Sequence, residues 1–447
     1  MYTKYKSTGT SYIPSIPFGW AIKSGRFCFE ENSLKNSDLS QRNLLQFTYG
    51  SIVRKKNQDI PTDSEDIYRK YTQVCENDIM LNGLNLNYDF VSQRVGLVRE
   101  EGIITSAYLA LRCHDIIIPQ FANYLLKSLD AQKIFHGMGS GVRLTLGYSE
   151  FSRMLFPVPP HEEQDQIVRY LNWQISHINK LIHGHHREIK LLEERKLFII
   201  NTAITKGLDP NIEYKSVDSN WTGDIPEHWD FGTIKQHFRI QKRIAGKEGY
   251  DIISITQQGL KVKDVSSNEG QIAASYTNYQ LVYPGDFAMN HMDLLTGYVG
   301  VSDKLGVTSP DYRVFSLEDV ENCDPKYYLY IFQLGYKRRI FYGLGKGAAS
   351  KGRWRMPAIN FKNFEIPIPP IDEQREIVRY IEAQEKKINE LITGIEKLID
   401  LLKEYRTRLI SDVVTGQIDV RSIEIPEYEP ENDTDEQEAV EDEEADV

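Results

Sequence analysis

The sequence predicts an α/β protein: two α/β domains in a pseudo-two-fold arrangement, separated by two long antiparallel coiled-coil helices. Three observations carry this expectation. The chain repeats itself at a shift of 210 residues, PVPPHEEQDQIVRY at 157–170 returning as PIPPIDEQREIVRY at 367–380. Each copy opens a run of about 40 residues whose apolar positions step by 4 and 3. The two interiors between these frames break short apolar runs with Gly, Asn and Asp turns, in the manner of strands joined to a few helices.

The repeat extends well past its opening motif. Phe151 falls on Phe361, Gln164 on Gln374, Tyr170 on Tyr380, Asn179 on Asn389, Gly184 on Gly394 and Asp209 on Asp419, with no gap. The lead-ins match too, YKSTGTSYIPSIPFGW at 5–20 lying over YKSVDSNWTGDIPEHW at 214–229. Between these anchors the likeness is faint: NDIMLN resembles GDFAMN, and IFHGMGSG resembles IFYGLGKG. A period this long excludes a solenoid and indicates a duplicated domain plus connector. The boundaries follow: a domain over 1–156, a long helix over 157–208, a domain over 209–366, a second long helix over 367–421, and an acidic disordered tail over 422–447.

Each Pro-Pro ends a domain, because proline cannot continue a helix but suits the residues before one. The Glu and Gln that follow favour the positive end of the helix dipole. In the first helix the predicted seam runs through Leu171, Ile178, Ile182, Ile189 and Leu192, and in the second through Ile381, Ile388, Ile392, Ile399 and Leu402. His185, Lys196, Glu385 and Arg406 interrupt it. An apolar seam needs a partner helix of equal length, and the other copy supplies one. The spacing does not itself fix their direction; in an antiparallel pair Lys196 and Arg406 would lie near opposite ends. Length and repetition both argue against the single apolar face of an ordinary globular helix.

In each interior a Gly-rich basic loop precedes the Pro-Pro exit, GMGSGVR at 137–143 and GKGAASKGR at 345–353. Glycine lets a backbone approach phosphate, and Arg reads phosphate or guanine with a planar fork. The candidate DNA-binding residues are Arg54, Lys55, Lys56 and Arg143 in the first domain and Lys242, Arg243, Lys346, Lys351, Arg353 and Arg355 in the second. Arg143 and Arg353 coincide at the 210 shift. Any one such cluster by itself reads as a solvated surface; the same loop in both domains is what favours DNA binding.

The formal net charge of −11 argues against a nucleic-acid partner only until it is localised. Residues 424–447 hold 13 acidic residues and no Lys or Arg, leaving 53 basic against 51 acidic residues elsewhere. The tail reads as a solvated extension, with a regulatory or DNA-mimicking role as the alternative.

The chain looks non-catalytic. It has no G-x-x-x-x-G-K-[ST] loop and no G-x-G-x-x-G opening a helix after a strand. Neither Pro-Pro has the Asn or Asp before it and aromatic after it that amino-methyltransferases use. His177, His183, His185 and His186 share the first helix, but their counterparts Lys387, Thr393, Ile395 and Glu396 cannot repeat a metal site, so no metal is expected. Cys28, Cys75, Cys113 and Cys323 are scattered and suggest no disulfide framework. With no apolar signal segment or membrane span, a cytoplasmic protein is expected.

The paired I-P-x-x-W lead-ins (Ile16-Pro17 with Trp20, Ile225-Pro226 with Trp229), the paired P-x-P-P-x-x-E-Q exits, and TKGLDP answered by TGQID form an ordered, duplicated set. This set resembles the DNA-specificity subunit of type I restriction-modification systems over residues 1 to about 421. The resemblance implies two target-recognition domains, each reading half of a bipartite, asymmetric site in double-stranded DNA. It implies spacer helices that act as ruler and docking platform for two methyltransferase subunits, and two restriction (motor-nuclease) subunits in the full complex. It also implies no cofactor in this chain: S-adenosylmethionine would sit on the methyltransferase, ATP and Mg on the restriction subunits. The rival readings are a coiled-coil scaffold with two ligand-binding domains and no DNA role, and a self-contained methyltransferase or nuclease. The family pattern offers no role for the acidic tail.

Overall fold

The computed structural model describes residues 2–48, 50–56, 64–139, 144–257, 259–263, 273–347 and 354–431. The chain forms two compact units, residues 1–188 with 394–447 and residues 189–393, so that the division falls within both long helices. Each unit holds one interior and part of each helix.

In the first unit, β1 (Ala21–Ser24) leads to β2 (Phe29–Glu31), β3 (Ile79–Leu81), β4 (Val95–Leu97) and β5 (Leu109–Cys113), then α1 (Pro119–Ala131) and β6 (Leu155–Val158). β2, β5, β3 and β4 form an antiparallel sheet in that order, with Leu111 opposite both Glu31 and Ile79. β1 pairs with β6, which brings the exit of the domain back to its entrance. Proline at the first position of α1 has a preset φ and no N–H to strand. Phe121, Leu125, Leu126 and Leu129 on its inner face are fully buried, as helical spacing requires.

From this domain α2 (His161–Lys206) runs 46 residues, about 69 Å at 1.5 Å per residue. The second unit repeats the plan: β7 (Asp230–Thr233), β8 (Phe238–Gln241), β9 (Phe287–Met289), β10 (Val299–Val301), β11 (Arg313–Leu317), α3 (Pro325–Lys337) and β12 (Glu365–Ile368). The sheet order is β8-β11-β9-β10, and β7 pairs with β12. Its core is an aromatic cluster in which Phe238, Phe287, Phe315, Phe332 and Phe361 meet at centroid distances of 4.9–6.0 Å, a spacing at which edge-to-face rings attract. α4 (Ile371–Val414) follows, 44 residues long.

The repeated motif is explained by its glutamine. Gln164 and Gln374 are both fully buried. Gln164 accepts the Ile118 N–H at 2.7 Å and donates to Pro159 O and Ile116 O. Gln374 accepts the Asp324 N–H at 2.8 Å and donates to Pro369 O and Asn322 O. Each thus ties the start of a long helix to the start of its domain's 13-residue helix. Glutamine fits because both functions of one amide are used and no charge is buried.

Within each unit the two long helices run antiparallel. In the first, Asn179 Oδ1 accepts from Arg406 Nη1 at 2.8 Å while Glu163 lies near Arg421. In the second, Asn389 Oδ1 accepts from Lys196 Nζ at 3.1 Å, and Ile200, Ala203 and Ile204 share a core with Ile377, Val378 and Ile381. The two cations that interrupt the seam therefore meet the two asparagines that the repeat makes equivalent. Of the expected seam residues, Leu171, Ile178, Ile182, Ile381, Ile388 and Ile399 are buried; Ile189, Leu192, Ile392 and Leu402 are half-buried. Glu385 accepts from the Tyr330 hydroxyl, and His185 lies 3.3 Å from Glu188.

The first part of the acidic stretch is ordered. Glu429 O accepts from Ser176 Oγ, the Glu431 N–H donates back to that oxygen at 2.8 Å, and His183 Nδ1 lies 2.6 Å from the Glu431 carboxylate. Residues 432–447 lie outside the described residues. Among the described residues no helix is long and apolar enough to cross a membrane, and no group of three His, Cys, Asp or Glu side chains is placed to hold a metal ion.

Candidate nucleic-acid interface

Each domain carries the same pair of loops at one end of its sheet. The first loop joins β3 to β4, or β9 to β10, and is closed by Asn82 N–H to Arg94 O at 2.8 Å, or Asn290 N–H to Tyr298 O at 2.9 Å. The second is the Gly-rich basic loop. The two are stitched by Leu146 N–H to Gly83 O and by Met356 N–H to His291 O, both 2.9 Å.

The sheet-end loops turn on an aspartate. Asp89 Oδ1 accepts the N–H groups of Val91 and Ser92 at 3.1 and 2.9 Å; Asp293 Oδ1 accepts those of Leu295 and Thr296 at 2.9 and 3.0 Å. Such Asx turns fix a tip without regular structure. The N–H groups of Ser92 and Val91, with Arg94 nearby, hold the Asp89 carboxyl down to about 2. The Thr296 contacts hold Asp293 low against the opposing effect of burial.

The supports beneath differ. In the first domain Arg94 is fully buried and its guanidinium donates to Asn82 O (3.0 Å), Leu84 O (2.7 Å) and Asp89 O (2.7 Å). His136 stacks on Phe90 at 4.7 Å and contacts Asp89 O. In the second domain a Cβ on Gly297 would strike the carbonyl oxygens of Asp293 and Asn290, so glycine is required there. Arg313 donates to Met356 O at 2.8 Å and lies 4.7 Å from the Phe361 ring centre. Burial, together with Arg313 and Arg355, pushes His291 down to about 4, so it is neutral near pH 7.

The basic loop of the second domain is closed at its base by paired Lys346 and Arg355, each backbone N–H bonding the other's carbonyl, and both side chains are exposed. Trp354 stacks on Tyr342 at 5.4 Å and donates its indole N–H to Tyr342 O. Lys351, Arg353 and, in the first domain, Arg143 lie outside the described residues.

The remaining expected contacts fall elsewhere. Arg54 ends a hairpin with exposed Lys55 and Lys56 beside it, and its guanidinium pairs with Glu100 at 2.7 Å. Lys242 is exposed. Its neighbour Arg243 holds both oxygens of buried Asp286 at 2.8 and 3.1 Å and lies over the Tyr283 ring. The first domain makes the equivalent clamp from a different strand, Arg112 gripping Asp78 at 2.9 and 3.0 Å. Arg243 is thereby engaged within its domain. Sequence reasoning paired Asp78 with Asp286 but missed this clamp, and it missed the Asx loops altogether. The available signal was Asp followed three residues later by Ser or Thr, after the matched Asn82 and Asn290.

Residues 226–401 match the family described as the type I restriction modification DNA specificity domain. The putative type I restriction enzyme MjaX specificity subunit of Methanocaldococcus jannaschii is 26% identical over 325 residues, spanning 68% of this chain and 69% of that one. The MjaVIII specificity subunit of the same organism is 23% identical over 382 residues, 80% of this chain and 83% of the relative. A solved chain from a type I restriction-modification complex superposes with a TM-score of 0.61 at 14% identity, covering 90% of this chain and 99% of its own, which shows a shared fold. Residues 226–401 thus carry a type I restriction modification DNA specificity domain, and the chain as a whole is similar to the specificity subunits of type I restriction-modification systems.

Proposed function

We propose that this chain supplies sequence recognition, and no chemistry of its own, to a type I restriction-modification complex. Each domain reads one half of a bipartite, asymmetric site in double-stranded DNA through its loop pair. The observation that supports this most is the repetition of one loop scaffold, Asx turn stitched to basic loop, with different side chains on it. A common frame with unlike contents is what two different half-sites require. Lys346 and Arg355 would contact phosphate, and base edges would be read from the tips.

The long helices set the separation of the half-sites and dock two methyltransferase subunits, which bring S-adenosylmethionine; two restriction subunits, with ATP and Mg, complete the nuclease. Inserting four residues into α2 adds about 6 Å of helix, close to the rise of two base pairs. The spacer between methylated half-sites should lengthen by one or two base pairs in single-molecule sequencing. An unchanged motif would sink the ruler role.

A further inference from the structure

Resting on that reading, we propose that Val91 and Leu295 are specificity-determining prongs, each contacting the 5-methyl group of a thymine in the major groove of its half-site. The two residues hold the same place: each is the second residue after the Asx-turn aspartate, with its N–H bound to that carboxylate. Both are apolar and exposed, Val91 at 92% and Leu295 at 54%. A single exposed apolar residue is unremarkable, but the same exposure at one equivalent turn position in both halves is not explained by folding. Water contact at these tips contributes nothing to the core.

The tips are also rigidly presented. Arg94 fixes three carbonyls under Val91, and Gly297 lets the backbone close tightly under Leu295. Binding groups need such support to discriminate between bases. The surroundings of Leu295 fit a polyanion: the Met356 N–H to His291 O bond sets its loop against the bridged pair Lys346 and Arg355. A side chain without donor or acceptor cannot read hydrogen-bonding edges. The thymine methyl is the apolar determinant the major groove displays.

The test uses the chain assembled with its methyltransferase and duplexes bearing the motif that this complex methylates. Each thymine of either strand is replaced in turn by deoxyuridine, which removes one methyl group. Binding should weaken about fourfold at one thymine in each half-site, the effect of losing one buried methyl-sized group. In Val91→Ser, which removes both methyl groups of an exposed side chain, the dependence should vanish in the first half-site and persist in the second; Leu295→Ser should do the reverse. Specific binding indifferent to every thymine methyl, as for a wedge between base steps, would overturn the prongs and leave the reading role intact. Absence of any sequence-specific binding by the complex would overturn both.

Discussion

Replacing Arg94 by methionine should loosen the sheet-end loop of the first domain while leaving the side chain's volume filled. The buried guanidinium donates to three carbonyls, those of Asn82, Leu84 and Asp89, at 2.7–3.0 Å. A hydrogen bond from a charged donor contributes about 1.5 kcal/mol at the low end, so the three sum to roughly 4.5 kcal/mol. Against this, methionine removes a buried charge, and Arg94 Nε finds no hydrogen-bond partner among the described residues. That relief is worth about 1–2 kcal/mol, leaving a net destabilisation near 3 kcal/mol. For a unit of this size it corresponds to a fall of about 6–12 °C in the melting midpoint. Scanning calorimetry measures that shift, and amide hydrogen exchange should show residues 82–94 exchanging faster while α3 keeps its protection. A midpoint within 2 °C of the parent and unchanged protection over 82–94 would refute the account of this loop.

Further perturbations address other parts of the structure. Arg406→Leu should cost about 1–3 kcal/mol by stranding the buried Asn179 oxygen, and adding Asn179→Leu should recover much of it; a double-mutant cycle with no coupling would contradict the polar pair. His291 has its folded-state pKa near 4, below the ordinary 6.5. The unfolded chain therefore binds more protons between these values, and stability should fall by about 1–2 kcal/mol as pH drops from 6.5 to 4, after allowance for partial exposure. His291→Phe should lack that slope in pH-dependent melts. Changing Lys346 and Arg355 together to glutamine should weaken binding to all duplexes alike and reduce the slope of log K against log salt by up to about two; an unaltered slope would remove both residues from the phosphate contacts.

The architecture was legible because it was written twice. The 4-3 apolar spacing, the Pro-Pro exits and the paired I-P-x-x-W lead-ins are local patterns, and the structure places Trp20 and Trp229 in equivalent buried positions, each N–H bonding the carbonyl of the proline three residues before it. The purpose of Gln164 and Gln374 was not legible, because their partners lie about 50 residues away and act through backbone groups that any residue carries. The same holds for Arg243. Beside Lys242 it reads as part of a basic patch, and only the fold brings Asp286 under its fork. The partners of the two seam cations were likewise hidden: Lys196 and Arg406 only interrupt an apolar series in the sequence, and the fold sets Asn389 and Asn179 opposite them. The Asx tips escaped notice because a short Asp-x-x-Ser pattern is common, and nothing local reports that Val91 points into solvent.

The central claim is that one chain carries two independent readers on a fixed spacer. The most direct test is the methylome of cells expressing this chain with its methyltransferase, determined by single-molecule sequencing and compared with that of a chain whose residues 209–366 come from a relative. The account predicts methylated adenines in a motif of two half-sites separated by a constant run of unspecified bases, with the exchange altering one half-site and leaving the other and the spacer nearly unchanged. A continuous motif, or an exchange that alters both half-sites together, would contradict it.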